Sequence, residues 1–188
     1  TNVSKVHGHS EFTIFTAEKM RMQLLLKIIL ISREQRVLYR LHFLDLFAGS
    51  GAVGVEALSR GAALVEAVES NSESADVCEE NFALLSSLTG VGKFKVHNKT
   101  VFEFLNHTAS NPYEIIYIDP PYEVANSEIE KILKKIVSLN LLSKFGVIAI
   151  ERDGKVKAFN WPPSLTELKV RSYGAGSIHY GVQTERDA

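Results

Sequence analysis

The chain has 188 residues, of which 45% are hydrophobic and 23% are charged. This length and composition fit one compact globular domain with a short appendage, and they exclude a disordered or collagen-like chain. The 21 Lys and Arg are offset by 22 Asp and Glu, so net charge gives no whole-chain signature for nucleic acid. The segment before Asp45 is nevertheless basic on its own.

Membrane insertion and secretion are not expected from this sequence. The longest apolar run, Leu24 to Ile31, contains Lys27 and is far shorter than the roughly 20 residues of a membrane-spanning helix. The single cysteine, Cys78, cannot form an internal disulfide, and the N-terminus lacks the residue order of a secretory signal. We therefore expect a reducing, cytoplasmic setting. Whether a targeting segment precedes Thr1 and what the oligomeric state is are left open.

In chain order, apolar periodicity predicts alternating helices and strands. A helix from Ala17 to about Ile31 belongs to a basic N-terminal extension, residues 1–40, which we expect to pack on the core. The main domain, residues 41–188, then begins with a strand over Leu41–Phe47. A Gly-rich turn and a helix near Ala52–Ser59 follow.

The middle of the chain continues the same alternation. A second strand is predicted over Leu64–Glu69, and a helix begins near Ser72, whose side chain is a candidate N-cap. A third strand is predicted over Lys93–His97. The mainly apolar run Glu114–Ile118 indicates a fourth, buried strand. This strand ends at Pro120 and Pro121, because proline cannot donate a hydrogen bond to a neighbouring strand.

The last third of the chain ends the pattern with a hairpin. A helix is predicted over Ser127–Leu139 and a fifth strand over Gly146–Ile150. From Leu165 onward, short strands surround a turn at Gly174 and Gly176. Strand and helix alternation of this kind predicts an α/β fold, a doubly wound parallel sheet covered on both faces.

The first candidate site is the turn after the first strand, Asp45-Leu-Phe-Ala-Gly-Ser-Gly-Ala-Val-Gly54, which contains a complete GxGxxG pattern. Glycines allow a sharp turn and let a ligand touch the backbone. An acid, Glu69, closes the second strand 20 residues beyond Gly49, and its carboxylate can accept both ribose hydroxyls. The pattern therefore predicts a nucleoside cofactor.

Two cofactor classes compete for this turn, a dinucleotide such as NAD and S-adenosylmethionine. Asp45 lies at the end of the strand, four residues before Gly49. Its carboxylate would repel a pyrophosphate but would attract the ammonium and sulfonium of S-adenosylmethionine. The charge of Asp45 thus favours the methyl donor.

The second candidate site is Asp119-Pro120-Pro121-Tyr122, which follows the fourth strand. In a doubly wound sheet this loop opens into the same crevice as the glycine turn, since the first and fourth strands meet where the strand order reverses. Asp119 and the carbonyl of Pro120 can accept the two hydrogens of an aromatic amine. The prolines stiffen the loop, and Tyr122 offers a face for stacking a base. We predict that these four residues hold the methyl acceptor.

With these motifs the chain resembles class I S-adenosylmethionine-dependent methyltransferases. It resembles most the bacterial family that methylates the 2-amino group of a guanine in small-subunit ribosomal RNA. The matching segments are Leu44–Gly61, Val68-Glu69, Asp119–Tyr122, Glu151 and Tyr173-Gly174, within a similarity from about residue 14 to 180. The resemblance implies a Rossmann-like sheet of seven strands with the last strand antiparallel. It also implies small-subunit ribosomal RNA, or the ribosomal particle being assembled, as substrate.

The resemblance further implies where the cofactor and the RNA bind. The expected cofactor contacts are Asp45, Phe47, Gly49, Ser50, Gly51, Glu69 and Thr100. Family members often carry Asp where Thr100 falls, at a position expected to meet the adenine amino group, so Thr100, Asn98 or the backbone substitutes for that Asp here. In the N-terminal segment Thr16 and Arg21 match the family pattern, whereas Ile14 and Phe15 replace its Arg-Pro.

Lys19, Arg21 and Lys27 are expected to contact RNA phosphates.

Several alternatives remain open at this point. The hairpin segment Ser172–Tyr180 either lines the base pocket or closes the sheet edge. An adenine or cytosine amine methylase acting on DNA or another RNA, and a catalytically silent nucleic-acid-binding relative, are the alternative functions. Cys78 is mid-helix without a Pro-Cys motif, so no covalent mechanism is expected, and no metal site is predicted.

Overall fold

Strands and helices alternate along the computed structural model, which describes residues 41–85, 90–107, 112–153 and 159–184. The predicted basic extension, residues 1–40, lies outside the described residues, together with its helix and the RNA contacts predicted there. Within the described ranges, no helix is long and apolar enough to cross a membrane.

The described residues form seven strands and four helices. The strands are β1 His42–Leu46, β2 Leu64–Glu69, β3 Lys93–Asn98, β4 Tyr113–Ile118, β5 Leu142–Asp153, β6 Leu165–Tyr173 and β7 Gly176–Gln183. The helices are α1 Ala52–Ser59, α2 Ser72–Ala83, α3 Val101–His107 and α4 Asn126–Ser138.

All seven strands join one sheet in the order β3-β2-β1-β4-β5-β7-β6. Strands β1 to β5 pair in parallel, and β7 is antiparallel to both β5 and β6. The predicted parallel sheet with an antiparallel last strand is therefore confirmed. The strand order reverses between β1 and β4, where Leu46 pairs with Ile118. The segments after Leu46 and Ile118 consequently leave the sheet side by side.

One face of the sheet packs on helix α4. The helix buries Ile129, Ile132, Leu133 and Ile136, which follow the i, i+3, i+4, i+7 spacing of a single apolar face. These residues belong to a core that also takes in aliphatic side chains from the centre of the sheet, such as Leu44. Each such side chain contributes about 1.5–3 kcal/mol on burial. This core fixes the central strands whose ends carry the two candidate sites.

Three local features differ from the sequence-based expectation. The N-cap of α2 is Asn71 and not Ser72, because the Asn71 side chain accepts a hydrogen bond from the Ser74 amide at 2.9 Å. Helix α3 was not predicted. Strand β5 starts before Gly146, which lies inside the strand because a Cβ there would be 2.9 Å from the Tyr113 carbonyl oxygen. Glycine at such a place allows close backbone approach.

Candidate active site

The loop that follows β1 turns back sharply through three residues with left-handed backbone. Phe47, Gly49 and Gly51 have φ values of 68°, 55° and 78°. For Phe47 this conformation is strained, which is common at ligand sites. Ser50, also predicted to contact the cofactor, is exposed, and its carbonyl accepts a hydrogen bond from Asn81 Nδ2 at 3.0 Å. This bond ties the loop after β1 to helix α2.

Packing beneath the loop explains two of its glycines. A Cβ on Gly51 would lie 2.5 Å from Cys78 Sγ, and one on Gly54 would lie 2.8 Å from the Phe82 ring. Helix α1 can therefore approach α2 and β2 only with glycine at these positions. Cys78 is fully buried, and burial raises the pKa of its thiol to about 12. An un-ionised, buried thiol is not a nucleophile.

Glu69, the acid predicted to hold a ribose, joins the loops after β1 and β2. Its two carboxylate oxygens accept hydrogen bonds from the Gly49 and Asn71 amides, each at 2.8 Å. A carboxylate has about four acceptor positions. The backbone bonds therefore orient the Glu69 carboxylate and leave acceptor positions on both oxygens.

Asp45 lies at the end of β1 and is only 1% exposed. Its Oδ2 atom is buried and has no hydrogen-bond partner among the described residues. Burial, together with the nearby Asp119 and Glu69 carboxylates, raises the pKa of Asp45 to about 8, although a hydrogen bond from the Gly54 amide opposes the shift. An orphaned buried acceptor costs stability unless a donor or cation reaches it. Asp45 thus fits the cationic groups of S-adenosylmethionine.

The loop after β4 places Asp119 beside Asp45. The Asp119 amide donates to the Leu46 carbonyl at 3.3 Å, which ties the start of this loop to the end of β1. Asp119 is half-buried and Pro120 is buried, whereas Pro121 is exposed and Tyr122 is 68% exposed. A hydrogen bond from the Val124 amide to the Pro121 carbonyl, at 3.0 Å, closes the turn. The two predicted sites therefore adjoin.

A cleft of about 200 Å³ lies between the ends of β1 and β2 and helices α3 and α4. Its apolar lining is Phe47, Val68, Val101, Phe102, Val124 and Ile132, and its polar lining is Ser70, Lys99, Thr100 and Glu128. Asn98, the alternative to Thr100, is not among these residues, because its side-chain amide donates to the Glu69 carbonyl at 3.1 Å. Of the two side chains considered for the adenine, only Thr100 lines the cleft.

Thr100 also has a structural role that the sequence analysis missed. Its hydroxyl donates to Glu103 Oε2 at 2.7 Å. The hydroxyl also accepts a hydrogen bond from the Glu103 amide at 3.2 Å, while the Thr100 amide donates to Glu103 Oε2 at 2.9 Å. This reciprocal pair is a capping box, which starts helix α3. The Thr-Val-Phe-Glu spacing contains that signal. The hydroxyl is therefore held in place at the mouth of the cleft.

Two further residues at the site were not assigned from the sequence. Tyr117 donates its hydroxyl hydrogen to Glu151 Oε2 at 2.8 Å, and both side chains are buried. Burial and the Asp119 and Glu151 carboxylates raise the pKa of Tyr117 well above its usual value. A tyrosine inside a buried apolar strand signals such a pair, since its hydroxyl must find a partner.

Arg152 holds the far end of the acceptor loop. The arginine is buried, and its Nη2 donates to the Val124 carbonyl at 2.9 Å and to Asn126 Oδ1 at 3.0 Å. The loop is thus tied to β1 at Asp119 and to β5 at Val124. Such double anchoring holds side chains in a fixed geometry.

This fold and the two adjoining loops define a class I methyltransferase architecture. Among solved structures, a magnesium protoporphyrin IX methyltransferase from Synechocystis, determined with bound S-adenosylmethionine, has a TM-score of 0.66 at 11% identity, covering 98% of this chain and 86% of its own. A Haemophilus influenzae protein provisionally described as a methylase has a TM-score of 0.72 at 24% identity, covering 89% of this chain and 99% of its own. At these identities the likeness shows the fold.

Sequence similarity places the chain in a family. Residues 17–182 match the family described as conserved hypothetical protein 95, and the chain belongs to that family. A ribosomal RNA small subunit methyltransferase D from Buchnera aphidicola is 30% identical over 112 residues. This match covers 60% of the chain and spans 56% of the length of that relative.

Proposed function

We propose that the chain transfers a methyl group from S-adenosylmethionine to the exocyclic 2-amino group of a guanine in small-subunit ribosomal RNA. The observation that carries the proposal is the contact between the two loops, where Asp119 follows β4 beside the buried Asp45 of β1. This contact joins a cation-attracting pocket to a loop built to hold an amine. The Buchnera relative is named as a methyltransferase of small-subunit ribosomal RNA, which supports RNA as the acceptor.

The cofactor would be held by residues of β1, β2 and α3. Asp45 would face its cationic groups, and the free acceptor positions of Glu69 would take the ribose hydroxyls. The cleft that Thr100 lines would take the adenine, between apolar side chains such as Phe47. When bound, S-adenosylmethionine supplies an electrophilic methyl group on a sulfonium.

The acceptor would be held by the loop after β4. The Asp119 carboxylate and the Pro120 carbonyl accept the two amine hydrogens and aim the nitrogen lone pair, while the exposed ring of Tyr122 stacks on the base. Methylation of a neutral amine leaves one proton to be removed. The Asp119 carboxylate, already bonded to an amine hydrogen, is placed to accept that proton.

The RNA would also contact the basic segment before the core. We propose that residues 1–40 form an extension of the methyltransferase domain and that Lys19, Arg21 and Lys27 contact phosphates. Replacing all three with Ala should flatten the salt dependence of RNA binding by roughly 1 per lost contact. An unchanged slope would remove this segment from the RNA site.

The proposal is tested with methyl-labelled cofactor and three acceptors: unmodified small-subunit ribosomal RNA, small-subunit particles and duplex DNA. Mass analysis of the digested nucleosides identifies the product, with Asp119→Ala as the control of strongly reduced activity. We expect label on the guanine 2-amino group of RNA. Label on adenine or cytosine would contradict the base assignment, and label on DNA alone would contradict the RNA assignment. Cofactor binding without transfer to any acceptor would indicate a silent relative.

A further inference from the structure

A row of side chains crosses one face of the sheet from β1 to the edge strand β6. In the register of the sheet, each of the following residues pairs with the next one across neighbouring strands: Asp45, Tyr117, Ala149, Tyr180 and Lys169. Because paired residues on neighbouring strands project from the same face of a sheet, these five side chains share one face. The row links the cofactor side of the site to the far edge of the sheet.

A second row on the same face lies at the level of the acceptor loop. Glu151 pairs with Ile178, and Ile178 pairs with Arg171. Asp119 follows the last residue of β4, next to the strand that carries Glu151. Three strand spacings of about 4.8 Å separate β4 from β6, so the backbone at Arg171 lies about 14 Å from the backbone at Asp119.

The β6 ends of both rows carry positive charge. Lys169 Nζ lies 5.1 Å from the centre of the Tyr180 ring, a cation–π contact. Burial and the neighbouring Arg171 cation lower the pKa of Lys169. Neither cation is fully buried, and neither forms an ion pair with a carboxylate among the described residues.

The two ends of this face therefore differ in sign. The end near the acceptor loop carries the Asp119 and Glu151 carboxylates, which repel an anion. Two adjacent cations that have no carboxylate partner in the described part of the chain repel each other, and an anionic ligand relieves that repulsion. Within the described residues, the first cations along these rows are Lys169 and Arg171. Both are partly exposed at the edge of the sheet, whereas the side chains between them and the acceptor loop are buried.

We propose that Lys169 and Arg171 form a phosphate-binding site for the RNA strand that flanks the target nucleotide. The inference rests on the proposed function, because the ligand is the substrate of the same cleft. The acidic end of the face then receives the cationic cofactor, while the cationic end receives the RNA backbone. Phosphate contacts of this kind set the position of the strand and not its sequence preference.

The test compares two double variants of the full chain that lose the same charge. Lys169→Gln with Arg171→Gln removes the site, and Lys95→Gln with Lys144→Gln removes two exposed lysines elsewhere on the sheet. The probe is unmodified small-subunit ribosomal RNA, with binding measured across a series of salt concentrations. For the site variant we expect affinity to fall about tenfold. We expect its salt slope to flatten by about 2, at roughly 1 per lost phosphate contact.

Three further measurements distinguish a specific phosphate site from a general effect of removing positive charge. The charge-conserving pair Lys169→Arg with Arg171→Lys should keep the wild-type salt slope, and all variants should keep their melting temperature and their affinity for S-adenosylmethionine. In methyl transfer the site variant should raise KM for RNA with little change in kcat. Equal flattening in both glutamine variants, or none in the site variant, would overturn the proposal, and Lys169 would then serve to block edge-strand pairing.

The failure of this inference can be told apart from the failure of the proposed function. If the wild-type chain methylates the RNA while the site variant binds it with an unchanged slope, only the phosphate site is wrong. If the wild-type chain transfers no methyl group, the proposed function is wrong, and the salt slopes still decide whether Lys169 and Arg171 bind RNA. Absence of any RNA binding by the wild-type chain overturns both.

Discussion

Asp45→Asn should remove a pH-dependent loss of stability from the cofactor-free protein. Burial raises the pKa of Asp45 from 3.8 to about 8, so the native state keeps a proton that the unfolded chain has lost. The raised pKa contributes stability that is fully present below about pH 4. That stability is lost as the pH rises toward and through 8, because the native state must then ionise a buried carboxyl group. Asparagine keeps the shape of the side chain and cannot ionise.

The size of the effect follows from the two pKa values. The whole shift of about 4 units is worth about 6 kcal/mol, at 1.36 kcal/mol per unit. Between pH 5.5 and 8.5 the linkage relation gives a decrease of about 3 kcal/mol in the free energy of unfolding. The assay is urea unfolding at several pH values between these limits, with Asp76→Asn as the control because Asp76 is exposed on α2.

As the pH rises, we expect the free energy of unfolding to fall by the same amount in the wild-type protein and in the Asp76 variant. In the Asp45 variant the fall should be smaller. Parallel curves for all three proteins would refute the reasoning, because they would show that Asp45 ionises at the same pH in the native and unfolded states. Saturating S-adenosylmethionine should reduce the wild-type decrease, since a cation beside the carboxylate favours its ionised form.

The remaining predictions concern the two loops. Glu69→Ala should weaken S-adenosylmethionine binding by about 1–3 kcal/mol in calorimetry; unchanged affinity would remove this residue from the cofactor site. Asp119→Ala should lower turnover by a factor of about 100 or more while cofactor affinity stays near the wild-type value, and near-normal turnover would contradict its role. Gly51→Ala should destabilise the fold by about 2–4 kcal/mol, because its Cβ meets Cys78 Sγ and its φ is 78°. Adding Cys78→Ala should restore part of that loss in thermal melts, and no restoration would show that backbone strain alone is responsible.

The central sheet could be predicted because its signals are local. Mainly apolar segments of five to seven residues mark β1, β2 and β4, and the glycine pattern after β1 marks the strand-to-helix turn. Parallel strands with helical connections allow few topologies. The meeting of Asp45 and Asp119 follows from the reversal of strand order. These expectations needed no knowledge of contacts between distant side chains.

Thr100 has two roles in the structure, and only one of them was predicted from the sequence. Its position after the third strand led to a prediction of adenine contact. The structure adds the capping box with Glu103, which starts α3 and fixes the hydroxyl beside the cleft. The same residue can satisfy a helix end and line a ligand pocket, because a hydroxyl both donates and accepts.

Other parts of the site depend on register between distant strands and could not be predicted. The bond between Tyr117 and Glu151 joins residues 34 positions apart. Arg152 reaches Val124 across 28 positions. Sequence alone gives neither the pairing of β5 with β7 nor the placement of β7 inside the sheet and β6 at its edge.

One β-bulge in β6 decides which of its side chains project from the same face of the sheet as Asp45. Glu167 pairs with Gly181 and Lys169 with Tyr180, so Leu168 is an extra residue opposite no partner. A one-residue change of register moves every side chain to the other face of a strand. In a regular strand Leu168 would face Tyr180, and Lys169 and Arg171 would point to the opposite side. The bulge instead leaves Leu168 exposed and places the lysine over the Tyr180 ring. The positive charge on the face of the acceptor loop therefore depends on one inserted residue, which no pattern of residue types along β6 shows by itself.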